Sequence, residues 1–139
     1  MAGTATPIFP QTVMNWAQQI TNANGTSLQT LVTGGTNGSK VESLMISNTD
    51  TVAHDVQFWV TISSVAYLLT TVSIPASAGN SDSVPAVDIL RSAQIPGLAY
   101  DPNGNKYLYV ANGSTLSIGL LVAVASGKLV QGFAQGGNF

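Results

Sequence analysis

The chain has 139 residues, of which 45% are hydrophobic and only 7% charged, with four Lys and Arg, six Asp and Glu and no cysteine. That length fits one domain able to bury roughly two-thirds of its unfolded surface, while singly scattered basic residues offer no patch for a phosphate backbone and argue against nucleic acid as a direct ligand. The missing cysteines exclude disulfide staples and thiolate metal sites. An ordinary soluble domain carries roughly 25% charged residues, so the exterior here has to be built from Ser, Thr, Asn, Gln and Gly. Neutral polar groups cost less to desolvate than charges when they find hydrogen bonds, and the composition therefore suits a protein whose surface is covered by copies of itself or by a partner.

Residues 1–11 contain Pro7 and Pro10, with Ile8 and Phe9 as the only groups able to bury much area. The segment has no Lys or Arg and no continuous apolar run, so it reads as neither a signal peptide nor a membrane anchor, and a soluble protein made in a cytoplasm is expected. Ordering such a stretch costs about 1–2 kcal/mol per residue. The expectation is an extended arm anchored on a neighbour by Ile8 and Phe9, with Pro10 beside them, ahead of a single domain over residues 12–139. Across 12–21, Val13, Ala17 and Ile20 fit a helical face, whereas Met14, Trp16 and Ile20 fit a strand with one polar break; strand is preferred, with Trp16 a candidate contact residue. Asn24-Gly25 marks a turn, 27–32 a second strand and 33–39 a glycine-rich loop.

Residues 41–62 read as two strands joined by a polar reversal. Leu44 and Ile46 share one face, with Glu42 before them on the same side, and Val56, Phe58, Val60 and Ile62 alternate with Asp55, Gln57, Trp59 and Thr61. The short side chains of residues 47–51 can bond their own backbone and hold the turn. If the Phe58 face is buried, Trp59 faces outward, where a large indole marks a contact surface.

Ser63 and Ser64 form a break, and 67–74 the next strand, with Leu68, Val72 and Ile74 pointing one way. Ser83 and Pro85 resemble a helix start, and Val87, Leu90 and Arg91 stand at helical spacing with Asp88 three before Arg91, which predicts one or two turns of helix. Strands follow over 106–110, with Tyr107 and Tyr109 on one face, over 115–125, where Leu116, Ile118, Leu120, Val122 and Val124 alternate with smaller residues, and over 128–134. Asn-Gly occurs at 24, 37, 103 and 112, where a tolerance of positive φ marks reversals; three of the four also fit the N-glycosylation pattern, though the turn explains them without glycan. About eight strands with one short helix predict an all-β fold, an antiparallel β-sandwich of jelly-roll type, with a small barrel as the alternative.

Candidates for chemistry are few. His54, the only histidine, neighbours Asp55, but adjacent strand residues point to opposite faces, so a solvent-facing turn residue is expected. A lone histidine leaves no multi-histidine metal site within one chain, although a trimer could gather three copies on an axis. Residues 101–105, Asp-Pro-Asn-Gly-Asn, superficially suggest a calcium loop, yet no bidentate acid follows and a turn explains them better. No Gly-x-Ser-x-Gly elbow is present. Neither an enzyme nor a cofactor nor a metal is expected.

A series of features then runs in fixed order along nearly the whole chain: Phe9-Pro10-Gln11, residues 20–26, the glycine-rich loop into 40–44, residues 47–55, residues 67–79, Ile95-Pro96-Gly97-Leu98, residues 101–109 and the closing Gly-Gly-Asn-Phe139. Together these resemble the head decoration, or cement, proteins of tailed phages. The resemblance implies a virion structural protein on the exterior of the phage head, bound to the major capsid protein, often as a homotrimer at local threefold axes, and reinforcing contacts between capsomers. It carries over no catalytic residue, no nucleic acid and no membrane contact. Phe139 joins Ile8, Phe9, Pro10, Trp16 and Trp59 as candidate interface residues. A tail or baseplate component is one alternative; a carbohydrate-binding module, with Trp59, Tyr107 and Tyr109 stacking on sugars, is another. Deleting residues 1–11 is expected to weaken assembly, read as a lower native mass or poorer retention by a partner; unchanged assembly contradicts the arm's role.

Overall fold

The computed structural model describes residues 9–139, so the expectation for Ile8 lies outside the described residues. Ten strands follow one another: β1 (Thr12–Ile20), β2 (Gln29–Thr33), β3 (Ser39–Asn48), β4 (His54–Ile62), β5 (Val65–Ile74), β6 (Val87–Asp88), β7 (Ala99–Tyr100), β8 (Lys106–Val110), β9 (Thr115–Leu120) and β10 (Val130–Asn138). One sheet runs β1-β10-β3-β8-β7, with β6 also paired to β3, and the other runs β2-β9-β4-β5. Every pairing is antiparallel. The architecture is the expected jelly-roll-like sandwich, and two distinct sheets take the place of a closed barrel.

The core lies between the sheets. Trp16, Ile20, Leu44, Ile46 and Val130 enter from one side, and Val32, Phe58, Leu116, Ile118 and Ile74 from the other. Trp16 is only 9% exposed, which removes it from the candidate contact residues: β1 puts Trp16 and Ile20 on its inner face, and the indole fills the core. At Gly132 a Cβ would lie 3.1 Å from Ile118 Cδ1, 3.3 Å from Ile46 Cδ1 and 3.4 Å from Leu31 Cδ2, so the missing side chain is what admits the large ones.

Several sequence expectations shift for identifiable reasons. Glu42 does not share a side with Leu44. Gly136 pairs with Val41 and Gln135 with Ser43, leaving Glu42 as the extra residue of a bulge that returns Val41 to the core and sends Glu42 outward. Gly136 is required there, because a Cβ would fall 1.9 Å from the Lys40 carbonyl oxygen. The last strand therefore runs through the glycines to Asn138 instead of stopping at Ala134.

The helix expected after Pro85 is absent. Val87 and Asp88 pair with Ile46 and Met45, and the Ile89 amide donates to the Leu44 carbonyl at 2.9 Å. β8 covers β3 only from Ser39 to Val41, so the remaining β3 edge needs backbone partners, and that demand outweighs the local helical spacing. The Asp88–Arg91 pair still forms at 3.5 Å without a helix. The short helical element is instead a 3₁₀ turn, Asn22–Asn24. The strand expected over 115–125 ends at Leu120, after which Leu121 and Val122 are exposed and Val124 returns to the core.

All four glycines of the Asn-Gly pairs have positive φ, from 57° to 89°. Their asparagines do not. The two consecutive positive-φ residues that a type I′ hairpin needs are Ser63 and Ser64, at 51° and 67°, between β4 and β5. Left-handed geometry disfavours non-glycine residues by roughly 1–2 kcal/mol each, so this tip is held by the pairing of its strands.

Phe58 is fully buried at the centre of the core. Phe58→Ala is expected to lower unfolding free energy by about 3–5 kcal/mol, measured by denaturant titration; a change below about 1 kcal/mol would show that the two sheets are not tightly packed there.

Candidate functional site

One end of the sandwich is closed by polar side chains. The turn after β3 is built by Asn48, whose Oδ1 accepts the Asp50 amide at 2.9 Å and whose Nδ2 donates to the carbonyls of Val52 and Pro75. This presents Asp50 inward. Its Oδ2 meets His54 Nε2 at 2.8 Å and accepts the Ala125 amide at 3.0 Å, while Oδ1 accepts the Thr51 amide at 2.7 Å. The Asp50 carbonyl also accepts the Ser77 amide. One residue thus ties together the β3–β4 turn, the chain after β5 and the chain after β9.

His54 was expected to face solvent and does not: it and Asp50 are 4% and 3% exposed. The first residue of β4 points into the core end, and a buried imidazole there needs a polar partner, which Asp50 supplies four residues upstream. The signal in the sequence was Asp-x-x-x-His spanning a polar turn, not the adjacent Asp55, which lies on the exposed side. Enclosed in this way, three copies of His54 cannot meet on an axis. Among the described residues no cluster of three His, Cys, Asp or Glu is placed to hold a metal. Asp101 Oδ1 accepts the amides of Asn103 and Asn105, each at 2.9 Å, so its carboxylate is occupied by its own turn.

The opposite end carries several exposed apolar side chains among polar strand ends. Pairing places Thr12, Asn138, Ser39 and Val110 of one sheet, and Thr33, Thr115 and Thr61 of the other, at this end. Here the chain enters β1: the Gln11 amide donates to the Asn138 carbonyl at 2.7 Å, and Pro10 lies where a Gly137 Cβ would be. Phe9 and Val13 are 67% and 86% exposed. The Phe139 ring lies 5.9 Å from that of Tyr109, which in turn meets Tyr107 edge-on at 5.0 Å. Lys40 Nζ stands 4.6 Å from the Tyr107 ring centre. A hydrogen bond with Tyr109, reinforced by burial, raises the Tyr107 hydroxyl above its usual pKa. Pro10, packed on Gly137, and Phe139, packed on Tyr109, thus lie at the same end of the larger sheet.

The β4–β5 hairpin extends beyond the sandwich at the same end. Ile62, Val65, Tyr67, Leu68 and Leu69 are each 40–54% exposed, with Ile62, Val65 and Tyr67 on one face of the hairpin and Leu68, paired with Trp59, on the other. Trp59 itself is half-buried beside Ser117 on the outer face of its sheet, with Nε1 donating to Gln57 at 3.4 Å. Elsewhere Met45 and Phe133 flank an outer groove of about 510 Å³. Val52, Leu121 and Val122 are exposed near the Asp50 clasp.

Compared with known proteins, no family model, curated protein or solved structure matches the chain.

The Asp50 carboxyl is held at about 2, below its ordinary 3.8, by the His54 hydrogen bond first and then the Ala125 amide, against an opposing effect of burial. A folded-state value below the unfolded one means that this stabilisation is complete above about pH 4 and is lost as pH falls toward 2. The thermal midpoint is expected to drop across that window. Asp50→Asn is expected to be less stable at neutral pH and to show a shallower acid limb; an equally steep limb would place the acid sensitivity elsewhere.

Proposed function

We propose that this protein is a structural component of a virion, a decoration or cement protein that binds the outside of a phage head and reinforces contacts between capsomers. The observation that carries this reading is the distribution of exposed apolar surface. One end presents Phe9, Val13, Tyr109 and the β4–β5 tip, and the other presents Val52, Leu121 and Val122. Large exposed apolar patches on a chain this poor in charge favour a protein covered by other protein, and apolar groups at both ends suit a brace between two neighbours. The ordered resemblance to phage decoration proteins supplies the identity of the partner, the major capsid protein, and of the assembly, a homotrimer on the virion exterior.

In this reading the chain works without catalysis. Modest contacts repeated over many copies gain from avidity once several engage together. The Asp50–His54 clasp fixes the loops around one contact end, and the β10–β1 pairing fixes the entry of the arm at the other. A tail or baseplate role uses the same surfaces on a different partner. A sugar-binding role fits less well: Trp59 is half-buried on one sheet, whereas Tyr107 and Tyr109 stand on the other, so the three aromatics form no common platform.

Purified protein mixed with empty phage heads is expected to co-sediment with them and to raise their resistance to heat or chelation. Tyr109→Ala and Phe9→Ala are expected to weaken that binding several-fold while leaving the melting temperature of the free protein within a few degrees. Failure to co-sediment, or binding indifferent to both substitutions, would remove the capsid reading or this contact end respectively.

A further inference from the structure

The open edges of the two sheets differ sharply in how they are protected. β1 and β2 run beside each other where the sheets meet, and the Gln18 side chain donates to the Thr30 carbonyl at 2.9 Å. The β8 edge is covered by β7 and closed by the Asp101 amide on the Asn105 carbonyl at 2.9 Å. β5 has no such cover. Among the described residues its backbone pairs with β4 alone, and the nearest neighbouring loop reaches it only at Thr70, whose hydroxyl donates to the Gln94 carbonyl. Residues 65–69, Val-Ala-Tyr-Leu-Leu, are therefore an unprotected edge. They contain no charge and no proline, two of the devices by which natural edges avoid pairing, and the one bulge, which leaves Leu69 without a β4 partner, lies at the far end of the segment.

We propose that residues 65–69 of β5 pair with the same residues of a second copy, antiparallel about a two-fold axis through Tyr67, joining two four-stranded sheets into one of eight strands. An edge of bare amides and carbonyls selects an extended strand as its occupant, since only another main chain satisfies both sets of groups. Self-pairing fits because the segment is its own complement. About this axis Tyr67 lies opposite the second copy's Tyr67 and Ala66 opposite its Leu68, the regular ladder ending at the bulged Leu69, with no like charges facing each other. The apolar side chains now half-exposed on both faces of the hairpin tip would then cover one another. The proposal rests on the reading above only in taking this tip as a contact surface. It is a two-fold contact, separate from any threefold one.

The chain has no cysteine, so single-cysteine variants report directly. Tyr67→Cys is expected to form a covalent dimer in high yield with a short bis-maleimide linker. Ser73→Cys, about 40 Å from its counterpart in this pairing, is expected not to. Tyr67→Lys, at an exposed position, is expected to halve the native mass of the assembly with folding retained by circular dichroism. Cross-linking of Tyr67→Cys no better than Ser73→Cys, or a native mass unmoved by Tyr67→Lys, overturns the pairing. Co-sedimentation of wild-type protein with empty heads is scored separately. Heads bound without cross-linking leave the capsid reading standing and the pair refuted; cross-linking without bound heads does the reverse.

Discussion

Around Gly132 the side chains of Ile118, Ile46 and Leu31 come within 3.1 to 3.4 Å of where a Cβ would stand, and the two sheets can close on each other because that position is empty. β10 is the inner strand between β1 and β3, so its inward residues, Val130, Gly132 and Ala134, set the spacing of the whole core. Small residues there let the opposite sheet supply the bulk, in Phe58, Leu116 and Ile118. The same strand ends against the β3 bulge, where Gly136 accepts the close approach of the Lys40 carbonyl. A β-branched residue, the usual choice for a buried strand, would separate the layers.

Much of this fold was legible from alternation alone. Val56 and Phe58 inward, Leu44 and Ile46 inward, and Leu116, Ile118 and Leu120 inward all follow from a period of two. What alternation missed is what depends on distant backbone. The segment after Pro85 has helical spacing, but β3 leaves amides and carbonyls unpaired beside it, and pairing there prevails. Glu42 has strand parity with Leu44, but a bulge set by the register with β10 reverses it. The last strand, expected to stop at residue 134, runs on through Gly136 and Gly137, whose role is close packing against neighbouring backbone.

At the candidate site the outcome divides in the same way. Pro10 and Phe139 lie at the same end because β1 and β10 are antiparallel neighbours, a pairing between distant parts of the sequence that no local pattern reveals. Trp16 is in the core since its strand runs inward at that residue, and Trp59 stands on the other sheet, so two tryptophans that look equivalent in the sequence have different environments. Asp50 is four residues from His54 in the sequence, but that spacing becomes a pair only once the Asn48 turn folds the carboxylate inward. A sequence with so few charges nonetheless buries one of them, Asp50, to 3% exposure.

The place of β10 also bears on synthesis. Since it lies between β1 and β3, the larger sheet is missing its middle strand until residues 130–138 have been made. A nascent chain of the first hundred residues can form the β4–β5 hairpin but cannot complete either layer, as β9 too belongs to the last quarter. Non-local pairings of this kind form late and slowly. The native sandwich can close only once β10 has been made, and the interval before that is when the bare strands are most open to mispairing.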